Sequence, residues 1–133
     1  MTKAPAPAAA GEPCSCASAR TYAQCCGPLH GGGAAPDAEA LMRSRYSAYA
    51  RGLEPYLLAT WDAATRPPGI AFDPATRWLG LKVLRHVADG DTATVEFVAR
   101  FKIGGGSAQR LHEISRFRRE GGRWYYVDGK FPG

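Results

Sequence analysis

The sequence predicts an α+β domain, two helices laid on one face of a four-stranded antiparallel meander, with a small cysteine-rich unit in front of it. Three observations carry that expectation. Apolar residues recur at helical spacing through residues 36–61, and alternating apolar and polar residues broken by glycine turns fill 77–131. All four cysteines fall between Cys14 and Cys26.

A chain of 133 residues has the size of one ordinary domain. Folding at this length buries roughly two thirds of the unfolded surface, so no disulfide staples are needed. Three tryptophans, six tyrosines and five phenylalanines supply bulk for a core. The net charge of +5 permits a nucleic-acid or ribosomal partner without requiring one. The opening residues MTKAPAPAAAGEP are small and Ala/Pro-rich, which predicts a disordered tail over 1–13. They hold no apolar signal-peptide core, and no stretch approaches the roughly 18 to 20 apolar residues of a membrane span. A cytoplasmic protein with no membrane partner is therefore expected, in a compartment where thiols stay reduced.

Residues 14–33 read C-x-C, eight residues, C-C, and end in Gly31-Gly32-Gly33, expected as a flexible joint. Disulfides would close very short loops and remove little chain entropy. A redox pair would want C-x-x-C beside a βαβ unit, and neither is present. Metal binding explains the clustering. Zinc takes four ligands in a tetrahedron with Zn–S near ~2.3 Å, and two close ligands from each arm of a short loop supply it. Cys14 and Cys16 form one arm, Cys25 and Cys26 the other. His30 is the alternative fourth ligand, since adjacent Cys25 and Cys26 both ligate only at a kink, for which Gly27-Pro28 is the candidate. A closed four-thiolate site is structural, because no position stays open for water.

Asp37 is the expected N-cap of the first helix. Met42, Tyr46, Tyr49 and Leu53 then recur at helical spacing, with Leu41 and Ala48 beside them. Glu39 and Arg43 sit four apart in the favourable order, and Gly52 is a suitable stop. A second helix opens near Glu54-Pro55 and runs through Leu57, Leu58 and Trp61. Asp62 to Pro74, with Pro67-Pro68-Gly69, reads as loop.

Four strands follow: Trp78–Ala88, Thr92–Ile103, Gln109–Arg119 and Arg123–Asp128, separated by Asp89-Gly90-Asp91, Gly104-Gly105-Gly106 and Glu120-Gly121-Gly122. Ala93, Val95, Phe97, Ala99, Phe101 and Ile103 share one face, and Thr94, Glu96, Val98, Arg100 and Lys102 the other. Helices over one face of a bent sheet tend to leave a cleft.

CSCASARTYAQCC resembles the SEC-C motif, a small zinc-binding element. LMRSRYSAYARG, YLLATW, VEFVARF, LHEISRF and WYYVDG then follow in the order seen in YchJ-like bacterial proteins. That resemblance implies a zinc motif over 14–33, with Cys14, Cys16, Cys25 and Cys26 as ligands. It also implies a domain similar to nuclear transport factor 2 over 34–133: helices on a curved antiparallel sheet around a conical pocket. The motif's loop usually reads Gly-Ser-Gly after the second cysteine. Here it is Ala17-Ser18-Ala19, without the freedom glycine has at positive φ.

In the third strand Leu111, Glu113, Ser115 and Phe117 share a face. With Phe117 inward, Glu113 faces the cleft as a candidate general base; the alternative is a structural ion pair with Arg43 or Arg45. Tyr46, Trp61, Phe97, Ser115 and Arg116 complete the candidate pocket, although strand alternation sets Arg116 with His112, Ile114 and Arg118 opposite, where it can meet Asp128. No catalytic constellation is legible, and no catalytic residue is assigned. Three functions are consistent with these residues. The first is a non-enzymatic accessory protein that docks a protein partner through its zinc motif. The second is a small-molecule binder or enzyme using the pocket around Glu113. The third is an RNA- or ribosome-associated protein using the run SRFRRE beside Tyr125 and Tyr126. The sequence implies no oligomeric state.

Overall fold

The computed structural model describes residues 12–132. The tail expected over 1–13 lies outside the described residues up to Gly11. Pro13 is already paired with Thr21 in a β-bridge, and the Tyr22 amide donates to Glu12 O at 2.8 Å.

A 3-10 turn over Tyr22–Gln24 leads into helix α1 (Cys26–His30), then α2 (Ala38–Arg51) and α3 (Glu54–Ala59). The α2 boundaries follow local chemistry. Asp37 is extended, and its carboxylate accepts the Ala40 amide at 2.8 Å. Gly52 closes the helix in the left-handed region at φ 70. In α3 a proline stands in the first turn, where its missing N–H costs nothing.

The strands are β1 (Thr76–Asp89), β2 (Thr92–Ile103), β3 (Gln109–Glu120) and β4 (Arg123–Lys130), in one antiparallel sheet of order β1-β2-β3-β4. This is the expected α+β meander. β1 is irregular between Trp78 and Gly80 and again between Val83 and Arg85, and the β3–β4 register shifts between Arg116 and Phe117. Such irregularities bend a sheet and re-aim its side chains. Helix α2 crosses the face that carries Ala93, Val95, Phe97, Ala99 and Phe117, and Leu41, Met42 and Tyr46 pack against it.

The expectation of a separate cysteine unit on a glycine joint is corrected. Cys14, Cys16 and Cys26 belong to the same buried cluster as Leu41, Met42 and Phe117. Gly31 and Gly32 cap α1 by backbone bonds to Gly27 and Leu29. The joint is held because the thiol-lined surface is apolar enough to share one core with α2.

Candidate metal centre and pocket

Cys14 and Cys16 sit on a tight knuckle in which the Cys14 amide donates to Arg20 O at 2.9 Å and the Ala17 amide to Cys14 O at 3.2 Å. Turning so sharply puts Ala17 at φ 64 and Ala19 at φ 69, the region that favours glycine. Cys25 carries the kink itself, with φ -129 and ψ -100, immediately before α1 begins at Cys26. The kink is therefore not at Gly27-Pro28. Gly27 serves a different need: a Cβ there would stand 2.8 Å from Tyr22 O.

The four Sγ atoms lie within 4.8 Å of one another, with Cys16 to Cys25 at 3.5 Å and Cys25 to Cys26 at 3.9 Å. A tetrahedron with metal–sulfur bonds of ~2.3 Å has sulfur–sulfur edges of about 3.8 Å. The donor set therefore fits a single thiophilic ion, with three of the thiols buried and Cys25 half-buried. The Cys16 thiol is pulled down to about 4, chiefly by its hydrogen bond with Cys26 and against the effect of burial. The Cys26 thiol is pushed up, first by that same bond and then by burial. The neighbouring thiols thus favour a thiolate at Cys16, and a bound cation would favour thiolate in each ligand it takes.

His30 does not face this centre as a ligand. Its Nε2 donates to Ser44 O at 2.8 Å, and its Nδ1 accepts from the Tyr22 hydroxyl at 2.6 Å. With both nitrogens engaged, His30 ties the motif to α2, and the alternative three-Cys, one-His set is corrected. Burial holds its pKa below the ordinary imidazole value, although the Ser44 bond acts the other way. Three further contacts fasten the motif. Arg43 Nη1 donates to Cys16 O at 2.8 Å, Ser15 Oγ donates to Ser47 Oγ at 3.0 Å, and Arg51 lies 3.6 Å over the Tyr22 ring.

Between α2 and the sheet lies a second feature, a cavity of about 280 Å³. Its walls are largely aromatic: Tyr46, Tyr49, Trp78, Phe97 and Phe117. Its polar groups are Glu113, Ser115, Tyr126 and Arg45. Glu113 Oε2 accepts from Ser115 Oγ at 2.8 Å and from the Tyr126 hydroxyl at 2.9 Å. Burial first, and then the Glu113 charge, push the Tyr126 hydroxyl pKa well up, so it donates at any ordinary pH. Arg45 Nη1 donates to Leu57 O at 2.8 Å and Thr60 Oγ1 at 2.7 Å, and its guanidinium lies 4.6 Å over the Tyr126 ring. Desolvation lowers the Arg45 pKa.

The structure places Tyr46, Phe97, Glu113 and Ser115 on this cavity. Two candidates lie elsewhere. Arg116 is on the outer face, exposed, and grips Asp128 with two bonds of 2.6 and 2.7 Å, because side chains alternate along β3. Trp61 packs edge-on behind Tyr126 at 5.0 Å and does not reach the cavity. The ion pair of Glu113 with Arg43 or Arg45 is also corrected. Arg43 pairs with Glu39 at 3.1 Å, and Arg45 bonds to the C-terminal end of α3. In the basic run, Arg116, Arg118 and Arg119 bond to Asp128, Asp62 and Asp91 respectively.

Sequence reasoning missed Arg45 as part of the pocket and Gly129 as the residue against which Glu113 lies. Arg45 stands three residues after Met42 and four before Tyr49, so the helical period carried its signal. Gly129 is a glycine inside a strand, a known mark of close approach.

Residues 37–129 match the family model described as YchJ, middle NTF2-like domain, and residues 12–28 match the SEC-C motif. A protein of Xanthomonas campestris named UPF0225 protein is 57% identical over 127 residues, covering 93% of this chain and 98% of that one. Among solved structures, a SEC-C motif containing protein from Rhodopseudomonas palustris superimposes with a TM-score of 0.80 at 42% identity, over 90% of this chain and 98% of that one. Another, from Psychrobacter arcticus, gives 0.72 at 30% identity, over 91% and 82%.

Proposed function

This chain belongs to the YchJ-like family, which joins a SEC-C motif to an NTF2-like domain, and from that premise we propose that it is a zinc-clamped small-molecule-binding protein. Zinc is the ion that suits four thiolates at tetrahedral spacing, a closed set with no position for water or substrate. Cys14, Cys16, Cys25 and Cys26 would hold it, and its contribution is structural: it fastens the N-terminal arm onto α2. Four free thiols suit a reducing compartment, such as the cytoplasm. Among the described residues, no helix is long and apolar enough to cross a membrane.

The observation that carries the binding role is the buried Glu113 carboxylate, fixed by two hydroxyls at the base of an aromatic cavity. Apolar walls with a few convergent polar groups are the usual form of a small-ligand site. We read it as a binding site rather than a catalytic one, since both neighbouring hydroxyls hold Glu113 as a fixed acceptor.

A second reading, a protein partner docked on the zinc motif, draws support from the exposed rim formed by Ala17, Ala19, Arg20, Ala23 and Gln24. Nucleic-acid binding through SRFRRE has less support, because its arginines already hold carboxylates.

Metal analysis of protein purified without chelator tests the clamp: one zinc per chain is expected, and none in the Cys14→Ser, Cys16→Ser variant. No zinc in the wild type, with amide exchange in α1 unchanged by the double substitution, would sink it. A pull-down with both proteins tests the docking reading on the same material.

A further inference from the structure

We propose that the pocket takes a neutral, flat, mostly apolar molecule that presents one N–H or O–H to Oε1 of Glu113, and that Gly129 is the positioning residue for that carboxylate. This rests on the small-ligand reading above and names the ligand class.

The two oxygens of Glu113 are not equivalent. Oε2 accepts from both Ser115 and Tyr126. Oε1 has no bonded donor among the described residues. Nor is it sealed away: the buried side-chain atoms without partners there are Thr21 Oγ1, Arg51 Nε, Trp61 Nε1 and His86 Nε2. Oε1 is therefore an acceptor left unbonded on a residue that lines the cavity, and a ligand donor would complete it.

Gly129 explains why the carboxylate lies where it does. It pairs with Ser115 across β3 and β4. A Cβ on Gly129 would stand 2.0 Å from Glu113 Oε2, 2.6 Å from Cδ and 2.8 Å from Cγ. The carboxylate thus occupies the space of the missing side chain and leaves the cavity open. Any larger residue drives it off Tyr126 and into the ligand's volume.

Charge selects the guest. Arg45 lies over one face of the Tyr126 ring, and the hydroxyl of that ring donates to Glu113. The guanidinium and the carboxylate offset each other across one side chain. With those two charges opposed, a charged guest of either sign finds little net attraction to offset its own desolvation. A neutral guest meets no such penalty, and the aromatic walls favour a flat one.

The test uses the full zinc-loaded chain with five probes: indole, the donor-less naphthalene and 1-methylindole, and the charged tryptamine and indole-3-acetate. Backbone amide shifts at Ala99 and Ser115 report binding in the cavity. Indole is expected to bind on the order of tenfold more tightly than either donor-less probe, and more tightly than either charged one. Glu113→Gln should collapse the preference for indole over 1-methylindole, and Gly129→Ala should weaken indole on the order of tenfold. If Gly129→Ala fails to fold, the Glu113→Gln ratio decides. Equal binding of indole and 1-methylindole, or tighter binding of a charged probe, overturns the ligand class while the small-ligand reading stands. No shift at Ala99 or Ser115 with any probe at millimolar concentration overturns both.

Discussion

The Arg43 guanidinium donates through Nη1 to the carbonyl of Cys16 at 2.8 Å, while its Nε donates to Glu39 Oε2 at 3.1 Å. One side chain therefore links α2, which roofs the pocket, to the knuckle that carries the first two cysteines. Arg43→Met keeps most of the stem and removes both bonds. It should cost about 1 to 2 kcal/mol of stability and speed zinc loss to a chelator. Thermal melts and a chromogenic zinc-release assay read the two effects; unchanged release would mean that the knuckle stands without α2.

Ala17 and Ala19 both occupy positive φ, at 64 and 69. Alanine in that region carries a steric cost of roughly 1 to 2 kcal/mol, part of which glycine gives back through the greater entropy of its unfolded chain. Ala17→Gly and Ala19→Gly should each stabilise the zinc-loaded protein, by roughly 0.5 to 1 kcal/mol. A melting temperature that falls in both variants would contradict the strain.

His30 has its pKa lowered by burial, despite the bond to Ser44 O. The unfolded chain then takes up a proton near the ordinary imidazole value of about 6.5, where the native state does not. The neutral ring's contribution is complete above that value and is lost as the pH falls below it. An NMR titration of the His30 ring should show a midpoint below about 6.5. A midpoint at or above it would contradict the buried neutral form.

Arg45→Met removes the buried guanidinium and its bonds to Leu57 O and Thr60 Oγ1. The loss should be about 2 to 3 kcal/mol, seen as a lower denaturation midpoint. The remaining Glu113 charge should then turn the cavity toward cations, so tryptamine should gain on indole in the probe series. An unchanged order of probes would show that Arg45 does not set the charge preference.

Elements built from local repeats were legible in advance. β2 runs over Thr92–Ile103 as its alternation predicts, and α2 is bounded by the caps Asp37 and Gly52 as expected. Capping, turn glycines and the periods of 3.6 and 2 residues act between neighbours, so a linear reading finds them. The cysteine cluster was visible for the same reason, since its ligands come from two arms of one short loop.

Long-range partners were not legible. The two nitrogens of His30 are occupied by Tyr22 and by Ser44, the latter fourteen residues on. Trp61 packs on Tyr126, which lines the cavity while Trp61 does not. The knuckle looked detachable until Arg43 reached Cys16 O across twenty-seven residues.

Residue order alone was enough for the helices, the strands, the thiol cluster and the shared face of Glu113, Ser115 and Phe117, because each rests on spacing within a few residues; packing decided that this face is the inward one. Packing alone chose what Glu113 touches. The β3–β4 register shift between Arg116 and Phe117 sets Tyr126 opposite Phe117 and Gly129 opposite Ser115. That shift gives the carboxylate both a donor and an empty place to lie, and no local pattern in either strand encodes it.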